Sequence, residues 1–115
     1  MCARPEDWVG YSTPNAIVLG DGVHLFFDAA HQPEGGEWKQ LRLHHARSAD
    51  GISGWIHDAE AIRSAGDFSW AVEEIRAPHA LLDGGTLRLY FAGHDFTGSP
   101  FHFGIGMMTC DLTVE

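Results

Sequence analysis

Positive charge is scarce in this 115-residue chain, where Lys and Arg number 7 against 16 Asp and Glu and the formal net charge is −9. No run of basic residues could follow a phosphate backbone, so neither nucleic acid nor an anionic membrane surface is expected as a partner. Neutral ligands such as sugars fit better. Cysteine is nearly missing: Cys2 and Cys110 stand at opposite ends, which excludes a disulfide framework and a closely spaced metal pair, and both are read as free thiols. No segment approaches the roughly 18 consecutive apolar residues of a membrane span. Residues 1–10 hold no apolar core of a signal peptide, so secretion is not supported and the cytoplasm is the default location. A sustained helical period is also absent, which argues against a helical bundle or array.

Histidine is plentiful, with 8 in the chain. His24, His44, His45 and His57 fall at strand or edge positions where a partly exposed imidazole needs no function. The pair His44-His45 lacks the spacing of a helical zinc pair, so neither a metal nor another cofactor is expected. The length allows one domain with a core and is too short for two ordinary ones.

The most informative stretch is residues 74–93, which reads as two short strands joined by a tight turn. Leu87, Leu89 and Phe91 fall on one face and Arg88 and Tyr90 on the other, the period of two that a pleated strand imposes. Asp83-Gly84-Gly85 supplies a hairpin turn. The same pattern occurs earlier, because residues 14–28 align with 78–92 without a gap, an offset of 78 minus 14, or 64. Pro, Ala, Gly, Leu and Phe are identical at five of those fifteen positions, with Gly20-Asp21-Gly22 as the matching turn. A repeat of this length built from several strands predicts propeller blades.

Read in order, residues 1–11 form an irregular lead-in, 12–66 a first blade and 67–115 a second, incomplete blade of one propeller-like domain. The segment from Asp28 through His31 to Trp38 is rich in Gly and polar groups and predicts a long exposed loop. A third strand is expected over 41–47, then a turn cluster, Ser48-Ala49-Asp50-Gly51-Ile52-Ser53-Gly54-Trp55. An outer strand over 56–62 would complete the unit, with a short helix over 59–65 as the weaker reading. The second unit repeats hairpin, loop (His94 to Pro100) and third strand (104–110), and then little sequence remains for a fourth. The fold class is therefore all-β, a partial β-propeller of two consecutive antiparallel four-stranded blade-like units, the second one truncated.

The Pro-led strand, the Asp-Gly turn, the Leu-Tyr-Phe second strand and the Ser48-Ala49-Asp50-Gly51-Ile52-Ser53-Gly54-Trp55 ending resemble the five-bladed propeller superfamily of glycoside hydrolases that includes arabinanases, xylosidases, levansucrases and invertases. The resemblance covers two consecutive blades and implies a carbohydrate ligand. Enzymes of this kind need two carboxyl groups flanking the glycosidic bond. The family commonly has an Asp before the Pro that opens each of these blades, whereas here Thr13 precedes Pro14 and Ala77 precedes Pro78. Neither can ionise. Arg76 matches the arginine of the family's Arg-Asp-Pro and implies a hydroxyl or carboxylate contact.

The remaining candidates for chemistry are Glu73 and Glu74, with Asp95 or Asp28 as partner from loops at the same end. A partly buried general acid would have a raised pKa, which Arg76 would oppose; alternatively the two glutamates are a solvated acidic loop. Asn15, Asp28, His31, Trp70, Arg76, His79 and His94 are the candidate sugar contacts. Trp70 and Phe68 either stack on a sugar ring or belong to the core. The chain thus reads as carbohydrate-active, binding or hydrolysing a glycan at the end carrying the long loops. The alternative is a non-catalytic sugar-binding or assembly module with a degenerate site. Two blades leave apolar faces uncovered, so a homo-oligomer or further blades of a longer chain are expected as partners.

Overall fold

The computed structural model describes residues 8–31, 39–95 and 102–111. The described residues form strands and turns with no helix. Strands β1 (Trp8–Leu19), β2 (Gly22–His31), β3 (Lys39–Ser48), β4 (Ile56–His57) and β5 (Arg63–Ser64) make one antiparallel sheet in the order β1-β2-β3-β4, with β5 also on β3. Strands β6 (Glu74–Asp83), β7 (Thr86–Asp95) and β8 (His102–Asp111) make a second antiparallel sheet in chain order. Both hairpins turn where their glycines stand: Leu19 pairs with Gly22, and Asp83 with Thr86. The second sheet has three strands among the described residues, as expected of a truncated blade.

Four sequence expectations are corrected. Residues 8–11 belong to β1 rather than to an irregular lead-in, because Trp8 and Tyr11 find backbone partners in His31 and Ala29; residues 1–7 lie outside the described residues. The first strand pair also continues through Asp28, Ala29 and Ala30, which are buried strand residues instead of exposed loop. They stay in the sheet because β3 starts at Lys39 and covers their other edge. Likewise His94 and Asp95 end β7 and pair with Phe103 and His102 of β8. The expected outer strand over 56–62 is split into β4 and β5, two residues each, and a turn segment takes the place of the weaker helical reading. Residues 32–38 and 96–101 of the predicted loops lie outside the described residues.

Apolar alternation holds the two sheets together. From β7, Leu87, Leu89 and Phe91 are buried against the first sheet; from β2 it is Phe26 that packs with Ala80, Leu87 and Leu89. Leu43 and Ile75, neither with any exposed surface, join Phe91 further along, beside Ile62, Phe68, Trp70 and Met108. Each such buried aliphatic side chain stabilises the fold by about 1.5–3 kcal/mol.

The Ser-Ala-Asp-Gly cluster closes the first sheet at its turn end. Asp50 Oδ1 accepts the N–H groups of Ile52 at 2.9 Å and Ser53 at 3.0 Å, and Ser48 Oγ donates to the Ser53 carbonyl at 2.5 Å while accepting the Gly51 N–H at 3.0 Å. The two donated amides hold the Asp50 carboxyl down to about 2. Gly51 has φ 76° and lies against Val23, so the sequence needs glycine there.

Candidate functional site

At the end opposite the Gly-rich turns, each sheet begins with the same irregularity. The β1/β2 register shifts between Ser12 and Asn15, and the β6/β7 register shifts between Arg76 and His79. Within these bulges Thr13 and Ala77 have φ of 44° and 56° and are the described non-glycine residues with positive φ. Both precede a proline, whose ring crowds the preceding residue toward extended backbone. A left-handed residue there costs on the order of 1–3 kcal/mol and persists only if its surroundings hold it.

Asp28 is what holds both. Its side chain has no exposed surface. One carboxylate oxygen accepts the Ser12 hydroxyl, and the other accepts the Thr13 hydroxyl and, at 2.9 Å, the N–H of Ala77. A single buried carboxylate therefore clamps the two bulges across the sheet boundary. Asn15 adds a second clamp: its Oδ1 accepts the Ala80 N–H at 2.7 Å, and its Nδ2 lies 3.2 Å from His79 Nδ1.

Behind these groups lies a buried polar row. Glu74 and His94 are opposite one another on β6 and β7, with Glu74 Oε1 3.3 Å from His94 Nδ1 and Arg76 Nη2 3.3 Å from His94 Nε2. The guanidinium can only donate, so His94 Nε2 is the acceptor and Nδ1 carries the ring proton toward Glu74. Burial, followed by the neighbouring Arg76 charge, pushes the His94 pKa down, which agrees with a neutral ring. Glu74 Oε2 also accepts the Gln40 N–H at 3.0 Å, and Glu73 takes Lys39 Nζ at 2.6 Å. The glutamates thus tie β6 to the start of β3, and Glu74 is buried rather than part of a solvated loop.

The predicted contacts separate accordingly. Asn15, Asp28, Arg76, His79 and His94 converge, with Glu73 and Glu74 beside them, but Asp28 is enclosed strand rather than loop and its oxygens are already occupied. Thr13, Ala77 and His79 are exposed and Asn15 and Arg76 half-buried, so these five present the open surface. His31 and Asp95 end β2 and β7 at the same rim, while their side chains lie outside the described residues. Trp70 is half-buried and packs against the core cluster, the second of its two readings. Its ring stacks with Phe68 and Phe91 at centroid distances of 5.6 and 5.8 Å, over Gly93, Gly104 and Gly106. The clamp made by Ser12 and Thr13 was not foreseen; the proline after each bulge, repeated at the same offset, was its one sequence signal.

No family model matches the chain, and no curated protein matches it. Solved structures do. The chain is similar to the GH43_1 enzyme from Xanthomonas citri complexed with xylose, at TM-score 0.66 and 21% identity over 84% of this chain and 28% of the enzyme. It is similar to RS223-beta-xylosidase at TM-score 0.67 and 16% identity, covering 90% and 33% of the respective chains. A GH43 beta-xylosidase/alpha-arabinofuranosidase from a compost microbial metagenome, in complex with xylotriose, gives TM-score 0.67 and 20% identity over 85% of this chain and 31% of that one. The chain spans about a third or less of the enzymes it matches. Its two sheets therefore have the fold of consecutive blades of a five-bladed glycoside-hydrolase propeller.

Proposed function

We propose that this chain binds a glycan across the rim formed by Asn15, Arg76 and His79, and that it binds without hydrolysing. The observation that carries the reading is the pair of clamped bulges at Thr13 and Ala77. They keep a strained backbone at equivalent positions and place there a hydroxyl already given to Asp28 and an exposed methyl, where the resembled enzymes commonly have carboxylates. Hydrolysis needs one carboxyl to protonate the leaving oxygen and a second to act as base or nucleophile. Asp28 is enclosed by three donors, and Glu74 is committed to the Gln40 amide and His94. Xylose and xylotriose, present in the similar structures, supply the ligand class to try first.

Calorimetric titration with xylose and xylotriose tests this, beside turnover of an aryl xyloside panel. Binding without turnover is expected, weakened more by Arg76→Ala than by Arg42→Ala on the exposed side of β3. Equal effects of the two substitutions would remove the site from this rim. One arrangement favours a hydrolytic second reading: the buried Glu74 carboxyl lies 3.3 Å from an imidazole. Turnover abolished by Glu74→Gln would support it.

A further inference from the structure

The stacking of the two sheets follows a rule that leaves two further faces unused. The first sheet covers the second with its Phe26 side, and the second receives it on its Leu87, Leu89 and Phe91 side. Shifted by the repeat offset, Leu87, Leu89 and Phe91 become Val23, Leu25 and Phe27, the opposite face of the first sheet. Phe26 becomes Tyr90, on the opposite face of the second sheet. Each chain therefore carries one copy of the receiving face and one of the covering face, both without a neighbouring sheet among the described residues.

The receiving face is shaped as a site. An apolar groove of about 370 Å³ runs along it, lined by Tyr11, Pro14, Leu25, Phe27, Ala46 and Trp55. On the same face, by register, stand His44 opposite Phe27 and His57 opposite Ala46. His44 is 8% exposed, and its Nδ1 and the Nε2 of His57 are buried with no hydrogen-bond partner among the described residues. The groove calls for apolar cover, and the covering face offers it: Ile105 is 80% and Met107 45% exposed, with Tyr90 in the place of Phe26. It also continues the interface that already joins the two sheets within the chain.

We propose that the Tyr90, Ile105 and Met107 face of one chain packs on the Leu25, Phe27 and Trp55 face of a second copy. The association is head to tail, so it leaves one free face at each end until a ring closes. With a net charge of −9 on each chain, like-charge repulsion opposes it at low salt, and added salt strengthens it.

Sedimentation of the 115-residue chain over micromolar concentrations, with and without 0.5 M salt (an ionic strength at which screening acts over only a few ångströms, about 4 Å), gives the first reading. Concentration-dependent growth beyond 12.6 kDa, greater in salt, is expected. The decisive step uses single-face variants. Trp55→Lys disables the receiving face and Ile105→Lys the covering face; Leu25→Gln and Met107→Lys replace them should either fail to give a native circular-dichroism spectrum. Each variant alone should stay monomeric, and an equimolar mixture should form a one-to-one pair through the intact face of each. A monomeric wild-type chain at every concentration and salt would overturn the proposal, as would variants that still self-associate or fail to pair when mixed.

Discussion

Asn15 and His79 hold equivalent places in the two hairpins, 64 residues apart, and their side chains meet at 3.2 Å across the sheet boundary. The internal repeat is thus also a contact. Asn15 does more than touch its counterpart, because its carbonyl satisfies the Ala80 N–H. Asn15→Ala should lower stability by about 1–2 kcal/mol, the cost of leaving a part-buried amide unsatisfied, whereas Asn15→Asp, which keeps the acceptor, should cost less. Urea unfolding of the two variants makes the comparison.

Ala77→Gly should stabilise the chain. Its methyl is exposed and its φ is 56°, so glycine removes left-handed strain while giving up no packing. Strain relief of about 1–3 kcal/mol, set against about 0.5–1 kcal/mol for glycine's greater freedom when unfolded, leaves a gain of up to about 2.5 kcal/mol. A lower urea midpoint for Ala77→Gly would show that the bulge is not strained.

Removing the clamp should do the opposite. Asp28→Ala leaves the Ser12 and Thr13 hydroxyls and the Ala77 amide without their shared acceptor, and a loss of about 1–3 kcal/mol is expected from leaving part-buried neutral donors unsatisfied. Because the clamp joins both sheets, thermal unfolding of Asp28→Ala followed by circular dichroism should also become less cooperative. An unchanged, equally steep transition would count against the clamp.

Stability should fall in mild acid through His44. Burial foremost, then the neighbouring His57 and Arg42 charges, lower its pKa from 6.5 to about 4, with Asp58 acting the other way. Between those values the unfolded chain binds a proton that the folded chain does not. The contribution is therefore complete above pH 6.5 and is lost as pH falls toward 4, by at most about 3.4 kcal/mol at 1.36 kcal/mol per unit. Denaturant midpoints measured from pH 7 to pH 4 should show this slope, and His44→Phe, which keeps a ring beside Phe27, should flatten it.

The hairpins were legible because their signals are local: glycine-bearing turns and a period of two from Leu87 to Phe91. Asp28 was misread because Gly35, Gly36 and Pro33 follow it, and composition cannot reveal that the returning β3 pairs as far as Lys39. The broken outer strand has the same cause, since β4 and β5 are strands only through their pairing with β3. Of the site, the convergence of Asn15, Arg76 and His79 could be inferred from the shared end of two hairpins. The burial of Glu74 and His94 could not, because it depends on how one sheet lies on the other.

Trp70 and the glycines beneath it have a consequence for inheritance. A Cβ built on Gly93, Gly104 or Gly106 would come within 2.8 Å of the indole, so no larger residue is compatible with the ring. Conversely, loss of the indole would leave a trough over three residues without side chains. Gly93 is also closed by Ala71 at 2.4 Å and Gly106 by Phe91 at 2.5 Å, whereas Gly104 meets the indole alone. Positions 70 and 104 are therefore one unit of descent: in divergent relatives a smaller residue at 70 should co-vary with a larger one at 104, while 93 and 106 stay glycine.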